Sequence, residues 1–266
     1  MPQADDSAGY WQVMEQSRPE IWPGSLPWSD AWGSFGTLPD ASGLGCSVMR
    51  TRVPPAQLPA YWQDITARYA AWPRFSIGPF DTPGLRDLLA QNRYTLEERE
   101  RVVVLRRGEW LALPGASAEA RAVTTHRELA AVLALDHAVF DDPPPTPERI
   151  EAEWGRLTAA RQVFFVAGPD GTAASAGGFT DFGDWALLWG GETAPAHRGR
   201  GFYQAVVHRR LQALQAHHAV QFAAAQAREG TSAPILARLG FRDVGSIEVW
   251  APPHALRASA PTPNGV

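Results

Sequence analysis

Apolar positions follow two rhythms along this chain, and those rhythms predict its elements. Leu58, Tyr61, Trp62, Ile65, Tyr69 and Trp72 recur at intervals of three and four, which predicts a helix over 57–71. The short run 74–77 reads as a strand. Thr82 before Pro83 reads as an N-cap with proline at the first helical position, and Leu85, Leu88 and Leu89 give the helix over 82–92 its apolar face. β-Branched residues over 101–105 predict another strand. Upstream, Trp32–Leu38 and Leu44–Arg50 are strand-like and flank Pro39-Asp40-Ala41-Ser42-Gly43, a hairpin signal, while Val53-Pro54-Pro55 stops the second strand. Tyr10 to Asp30, with Trp11, Trp22 and Trp28 set among prolines, reads as a short helix plus loop docked by its aromatics.

The second half is more regular. A short strand at 121–123 precedes a helix over 128–140, with Leu129, Val132, Leu133, Leu135 and Val139 on its apolar side. Thr146-Pro147-Glu148 caps and starts the next helix. A hairpin turns at Pro169-Asp170-Gly171, and Asp181-Phe182-Gly183-Asp184 leads into a strand over 185–193. Phe202, Val206, Val207, Leu211 and Leu214 mark a long helix, followed by a strand over 221–226. A helix over 233–239 is capped by Thr231 or Ser232 and ended by Gly240; a final strand pair follows to Pro252. Composition puts the boundary at the linker Pro114-Gly115-Ala116-Ser117. This divides the chain into a disordered tail (1–9), an N-terminal domain (10–113), a second domain (118–252) and a frayed tail (253–266).

Helix, strand, capped helix and strand over 57–105 repeat the order of 202–252, with almost no identity. The pattern suits either a duplicated domain or an unrelated N-terminal extension. The two copies differ at the turn before their first helix. Arg52-Val53-Pro54-Pro55 has no glycine and lacks two N–H donors, whereas the later turn carries both glycines and arginines.

Composition narrows the classes. A length of 266 residues suits one large domain or two ordinary ones, and 45% hydrophobic residues support a packed core. A net charge of −4 argues against a broad nucleic-acid or anionic-membrane surface. Cys46 is the one cysteine, which excludes a disulfide framework and a cysteine metal site and agrees with a cytoplasmic setting. No run of about 18 apolar residues predicts a membrane span. No His-Glu-x-x-His or similar ligand spacing occurs, so no metal is expected.

The candidate chemistry centres on Thr193-Ala194-Pro195-Ala196-His197-Arg198-Gly199-Arg200-Gly201-Phe202-Tyr203, which joins a strand to the long helix. The first N–H groups of such a helix lack partners, and its dipole favours anions, so the turn predicts a phosphate cradle that Arg198 and Arg200 reinforce. It is not a Walker loop, because no Gly-Lys-Ser/Thr follows, and it lacks the Gly-x-Gly-x-x-Gly of dinucleotide binders. It resembles the pyrophosphate loop of the GCN5-related N-acetyltransferases, the GNAT superfamily, usually V-x-P-x-x-R-G-x-G-x-G. Thr193, Pro195, Arg198, Gly199 and Gly201 match, and Tyr203 replaces the last small residue. Leu239-Gly240-Phe241 after the last helix resembles the ending of the family's second motif.

The resemblance implies a mixed α/β (α+β) fold, a mostly antiparallel central sheet flanked by helices, with a second, degenerate GNAT-like domain at the N-terminus. It implies acetyl-CoA as co-substrate, held by Thr193, Ala194, Arg198, Gly199, Arg200, Gly201, Phe202 and Tyr203. It also implies direct acetyl transfer to a small-molecule amine by a monomer or homodimer, without nucleic acid or membrane. The alternative is a non-catalytic acyl-CoA-binding or regulatory protein. Glu192 is the expected base. The family's usual acid, a tyrosine, falls on Leu236, which leaves Ser232 or Tyr203 to supply a hydroxyl. Asp141, Asp142, Asp181 and Asp184 are expected to gather at one mouth and favour a cationic acceptor, with Trp185 and Trp189 beside them.

Overall fold

The computed structural model describes residues 25–32, 34–39, 47–69, 72–110, 120–140, 144–168 and 170–253. In chain order the elements are β1 Ser25–Ser29, β2 Phe35–Pro39, β3 Ser47–Arg50, α1 Leu58–Arg68, β4 Arg74–Ile77, α2 Leu85–Gln91, β5 Thr95–Arg106 and α3 Arg107–Trp110. Then come β6 Arg121–Ala122, α4 His126–Phe140, α5 Pro147–Gly155, β7 Arg161–Ala167, β8 Ala173–Asp181, β9 Trp185–Thr193, α6 Phe202–Leu214, β10 Phe222–Arg228, α7 Ser232–Arg238 and β11 Arg242–Ala251. They form two compact units. The chain leaves the first unit between Arg101 and Val102, inside β5, and returns to it between Val244 and Gly245, inside β11.

In the first unit β1, β2 and β3 are antiparallel neighbours, β3 runs parallel to β4, and β11 pairs antiparallel with β4 through Glu248↔Ile77 and Trp250↔Phe75. Its core holds Val48, Tyr61, Ile65, Phe75, Ile77, Leu85 and Leu89. Trp62 stacks on Phe75 and meets Trp72 and Tyr94 edge-on, at ring separations of 6.0, 5.4 and 5.7 Å. Trp62 and Trp72 are half-buried and pack against this core.

In the second unit the strand order is β5-β10-β9-β8-β7-β6. The strands from β6 to β9 are antiparallel in turn, and β9 runs parallel to β10. Strand alternation puts Phe164 and Val166 of β7 in one buried cluster with α6, and Val163 and Phe165 in another with α4. Helices therefore cover both faces. Thr125 and Glu128 start α4 as a capping box, with bonds of 3.2 and 3.1 Å, and the Thr146 hydroxyl accepts from the Arg149 amide to start α5. The Arg107 guanidinium donates to the carbonyls of His217, Val220 and Gln215 and closes the C-terminal end of α6.

Several expectations are corrected. Residues 25–29 form a strand rather than helix plus loop; residues 10–24, the tails 1–9 and 254–266 and the 114–117 linker lie outside the described residues. Thr82 does not cap α2. Its hydroxyl donates to the carbonyls of Thr51 and Val53, and the helix instead starts at Gly84 with φ 88°. The expected final strand pair is the single strand β11. Gly240 does end α7, with φ 90° and a bond from the Phe241 amide to the Leu236 carbonyl.

Candidate active site

The glycines of the turn after β9 open the start of α6. Gly199 and Gly201 have φ values of 74° and 80°, a left-handed conformation that side chains with a Cβ resist. No side chain caps α6. Among the described residues, no acceptor meets the backbone N–H groups of residues 199–204. A Cβ added at Gly199 would meet nothing within 4 Å. Arg198 folds back, its Nε 3.3 Å from the Thr193 carbonyl, and Arg200 is exposed. Unspent amides at a 13-residue helix, flanked by two guanidinium groups, fit a diphosphate.

Next to this cradle β9 and β10 part. Their pairing runs from Trp185↔Phe222 to Leu188↔Ala225 and no further. Gly190 and Gly191, with φ 64° and 109°, sit opposite the single residue Gly177 of β8, so β9 bulges just past the fork. A cavity of about 20 Å³ remains there, and Tyr203, Arg210, Ser232 and Leu236 contribute to its wall. Tyr203 neither crowds the cradle nor swings out over it. Its ring lies against Gly191, where an added Cβ would stand 2.9 Å from Cε2. Arg210 is 1% exposed; its Nη1 donates to the Gly178 and Trp189 carbonyls at 3.1 Å each, and its Nε has no acceptor. Burial pulls the guanidinium down from its ordinary value, against the neighbouring Tyr203 and Glu192.

Glu192 turns away from this cavity. It is 3% exposed, accepts from the Gly191 amide at 2.8 Å, and meets Asp136 of α4. Burial first, then the charge of Asp136 and a hydrogen bond to it, hold the Glu192 carboxyl well above the usual carboxylate range. Two carboxyl groups this close retain a proton between them.

Of the expected acidic mouth, the two described aspartates, Asp181 and Asp184, lie away from Glu192 and the cradle. Asp184 and Trp185 open β9 at the end remote from Thr193, and eight residue steps of strand amount to roughly 26 Å. Trp185 is 2% exposed and stacks on Phe182 and Phe222, so it is a core residue. Asp181 bonds His217 at 2.6 Å at that same remote end. Trp189 packs into the missing Cβ of Gly178, donates to the Thr180 hydroxyl, and carries the Arg161 guanidinium 4.2 Å above its ring. Asp141 and Asp142 lie outside the described residues. Ser232 caps nothing; it begins α7 at the cavity wall beside Leu236. The structure thus brings together Tyr203, Ser232 and the cradle, with Glu192 one strand face away. The sequence reading missed Arg210 and Asp136, although each interrupts the apolar stripe of its helix.

No model of a protein family matches the sequence, and no curated protein is similar to it. Solved structures are. A GCN5-related N-acetyltransferase from Kribbella flavida superposes with a TM-score of 0.60 at 18% identity, over 93% of this chain and 94% of that one. A tandem GNAT protein from the clavulanic acid biosynthesis pathway gives 0.56 at 15% identity, over 93% and 95%. A functionally unknown conserved protein from Staphylococcus epidermidis gives 0.60 at 9% identity, over 89% and 98%. At these identities the likeness is one of fold. The chain has the GNAT fold, and that likeness extends over nearly its whole described length.

Proposed function

We propose that this protein transfers an acetyl group from acetyl-CoA directly to the amine of a small-molecule acceptor. The observation that carries the reading is the row of unspent amides at 199–204, opened by left-handed Gly199 and Gly201. Those amides, with Arg198 and Arg200, would hold the diphosphate, and the fork between β9 and β10 would receive the thiol-bearing arm. The co-substrate supplies an activated thioester carbonyl. An alkylamine has a pKa of about 10.4, so the acceptor must lose a proton before it attacks. The Glu192–Asp136 pair is the proton acceptor in this reading. The raised affinity belongs to the one proton the two carboxyls share, so the pair acts as the base once that proton is lost, and that titration lies nearer the working pH than a free carboxylate's.

The first unit is, in this reading, a degenerate copy. It repeats a parallel strand pair with an intervening helix, but Arg52-Val53-Pro54-Pro55 offers no glycine cradle. Its counterpart of the fork is stitched closed. Asp81 accepts from the Thr51 and Gly78 amides at 2.5 and 2.7 Å, and Thr82 bonds the Thr51 and Val53 carbonyls.

Calorimetry with acetyl-CoA tests the cradle. Gly199→Ala and Gly201→Ala should each weaken binding at least tenfold, because alanine resists positive φ. Release of free thiol across a panel of small amines tests turnover. The second reading, a non-catalytic acyl-CoA-binding protein, is favoured by Leu236 in place of a tyrosine and by the narrow cavity beside the Tyr203 ring. Binding without turnover on a wide panel would select it, and no binding would sink both.

A further inference from the structure

We propose that Arg210 and Tyr203 together stabilise the thiolate that leaves when the thioester is cleaved, the guanidinium by its charge and the phenol by a hydrogen bond. This rests on the acyl-CoA reading above and assigns a task that reading leaves open.

Arg210 is the unexplained residue of the second unit. It sits on α6 among Val206, Val207, Leu211 and Leu214, all buried. A cation enclosed there loses several kcal/mol of hydration, which is normally offset by an ionised partner. Among the described residues no carboxylate makes an ion pair with it. Two carbonyls meet Nη1, the Tyr203 hydroxyl also bonds the guanidinium, Nε is unpartnered, and Glu192, which acts on it only through its charge, is held toward its neutral form by burial and Asp136. A leucine or methionine would serve packing better. What the guanidinium adds is a positive potential at the wall of the fork cavity.

The cavity size selects the kind of group that potential serves. About 20 Å³ admits one water-sized group and excludes an acyl chain ending in a carboxylate. A single atom that becomes negative during reaction fits. In acyl transfer to an amine, the amine nitrogen bonds the carbonyl carbon, the C–S bond breaks, and its electron pair goes to sulfur. The proton lost by the amine passes to the Glu192–Asp136 pair and then to solvent.

Tyr203 complements the charge. Its ring is fixed against Gly191 and beside Arg210, in the same wall where Leu236 presents no hydroxyl. Burial pushes the Tyr203 hydroxyl up from its ordinary value, Arg210 pulling the other way. A thiol has a pKa of about 8.5, so the phenol keeps its proton and donates a hydrogen bond. The group therefore leaves as an anion that Arg210 faces. Among the described residues, Glu192 on β9 is the one further titratable group felt by either Tyr203 or Arg210, with Asp136 on α4 behind it.

The test uses the full-length protein and CoA in its thiol form, with the bound thiol titrated by the ultraviolet absorbance of the thiolate. Calorimetry establishes saturation first. The bound thiol should titrate about one unit lower than free CoA, tenfold more thiolate at a given pH, as an opposite charge a few ångströms away produces. Arg210→Met should abolish the shift, and Tyr203→Phe, which keeps the ring, should reduce it. The affinity ratio of CoA to desulfo-CoA at pH 8 should fall in parallel. If the native protein binds CoA with an unshifted thiol, the proposal is overturned and the acyl-CoA reading stands. A full shift in folded Arg210→Met, or in Tyr203→Phe, also overturns it. If Arg210→Met does not fold, the native titration and Tyr203→Phe decide alone. No binding of CoA at all removes the acyl-CoA reading itself.

Discussion

Asp81 gives the first unit a stability that rises as the solution becomes acidic. Its two oxygens accept from the Thr51 and Gly78 amides, tying the end of β3 to the β4–α2 loop. Burial outweighs those two bonds and the charges of Arg52 and Arg50, so the carboxyl titrates near 6 rather than 3.8. A pKa raised in the folded state means the native protein binds the proton more tightly than the unfolded chain. The contribution is complete below the unfolded value, and it is lost as pH rises from about 4 through about 6. Inserting 6 and 3.8 into the linkage relation gives about 2 kcal/mol more stability at pH 4.5 than at pH 7 from this group alone. Asp81→Asn has no titrating group, and its amide oxygen still accepts from one of the two amides. Urea unfolding of the native protein and of Asp81→Asn at both pH values isolates the term, since all other titrations cancel in the difference. Native protein should gain about 2 kcal/mol relative to the variant on acidification. Equal pH slopes would show that solvent reaches Asp81, and the account of a closed fork would fail with it.

Four other outcomes are expected. Gly178→Ala places a Cβ 2.3 Å from the Trp189 ring and 2.7 Å from the Gln162 carbonyl, so it should cost about 1–3 kcal/mol by denaturant unfolding and shift tryptophan fluorescence. Gly191→Ala meets the Tyr203 ring at 2.9 Å and demands φ 109°, and should lower both melting temperature and CoA affinity. Arg107→Gln removes charge-assisted bonds to the carbonyls at the end of α6 and should cost about 1–3 kcal/mol in the same unfolding assay. Glu192→Gln should flatten the acid limb of the pH–rate profile, a limb centred above the usual carboxylate range because the Glu192 carboxyl is raised; an unchanged profile would remove Glu192 from the mechanism.

Local chemistry is legible in the sequence where its cause is local. Gly199 and Gly201 announce a left-handed turn, and Thr146-Pro147 announces a helix start, because neither depends on distant chain. Thr82-Pro83 carries an equally good local signal and loses it to tertiary structure, since Thr51 and Val53 offer the hydroxyl better-placed carbonyls. The pairing of β11 with β4 spans more than 160 residues and leaves no mark in periodicity. Asp184 and Trp185 lie near Glu192 in sequence, yet a strand carries its two ends apart at about 3.3 Å per residue. Trp185 and Trp189, expected beside an acceptor, stand instead where the packing needs volume.

The two residues that matter most to the proposed chemistry are nonetheless visible in the sequence. Arg210 stands four residues from Val206, three from Val207 and four from Leu214, and Asp136 stands four from Val132 and three from Leu133 and Val139. The named neighbours of Arg210 are all buried, and Asp136 has buried Val132 and Leu133 before it and half-buried Val139 after it. Arginine and aspartate are almost never enclosed unless something compensates them. A charged residue on an apolar stripe therefore calls for a partner across the packing interface, and periodicity alone is enough to say so. For Asp136 that partner is Glu192. For Arg210 the described residues supply two carbonyls and the Tyr203 hydroxyl but no carboxylate in an ion pair, and the balance falls to whatever anion the fork receives.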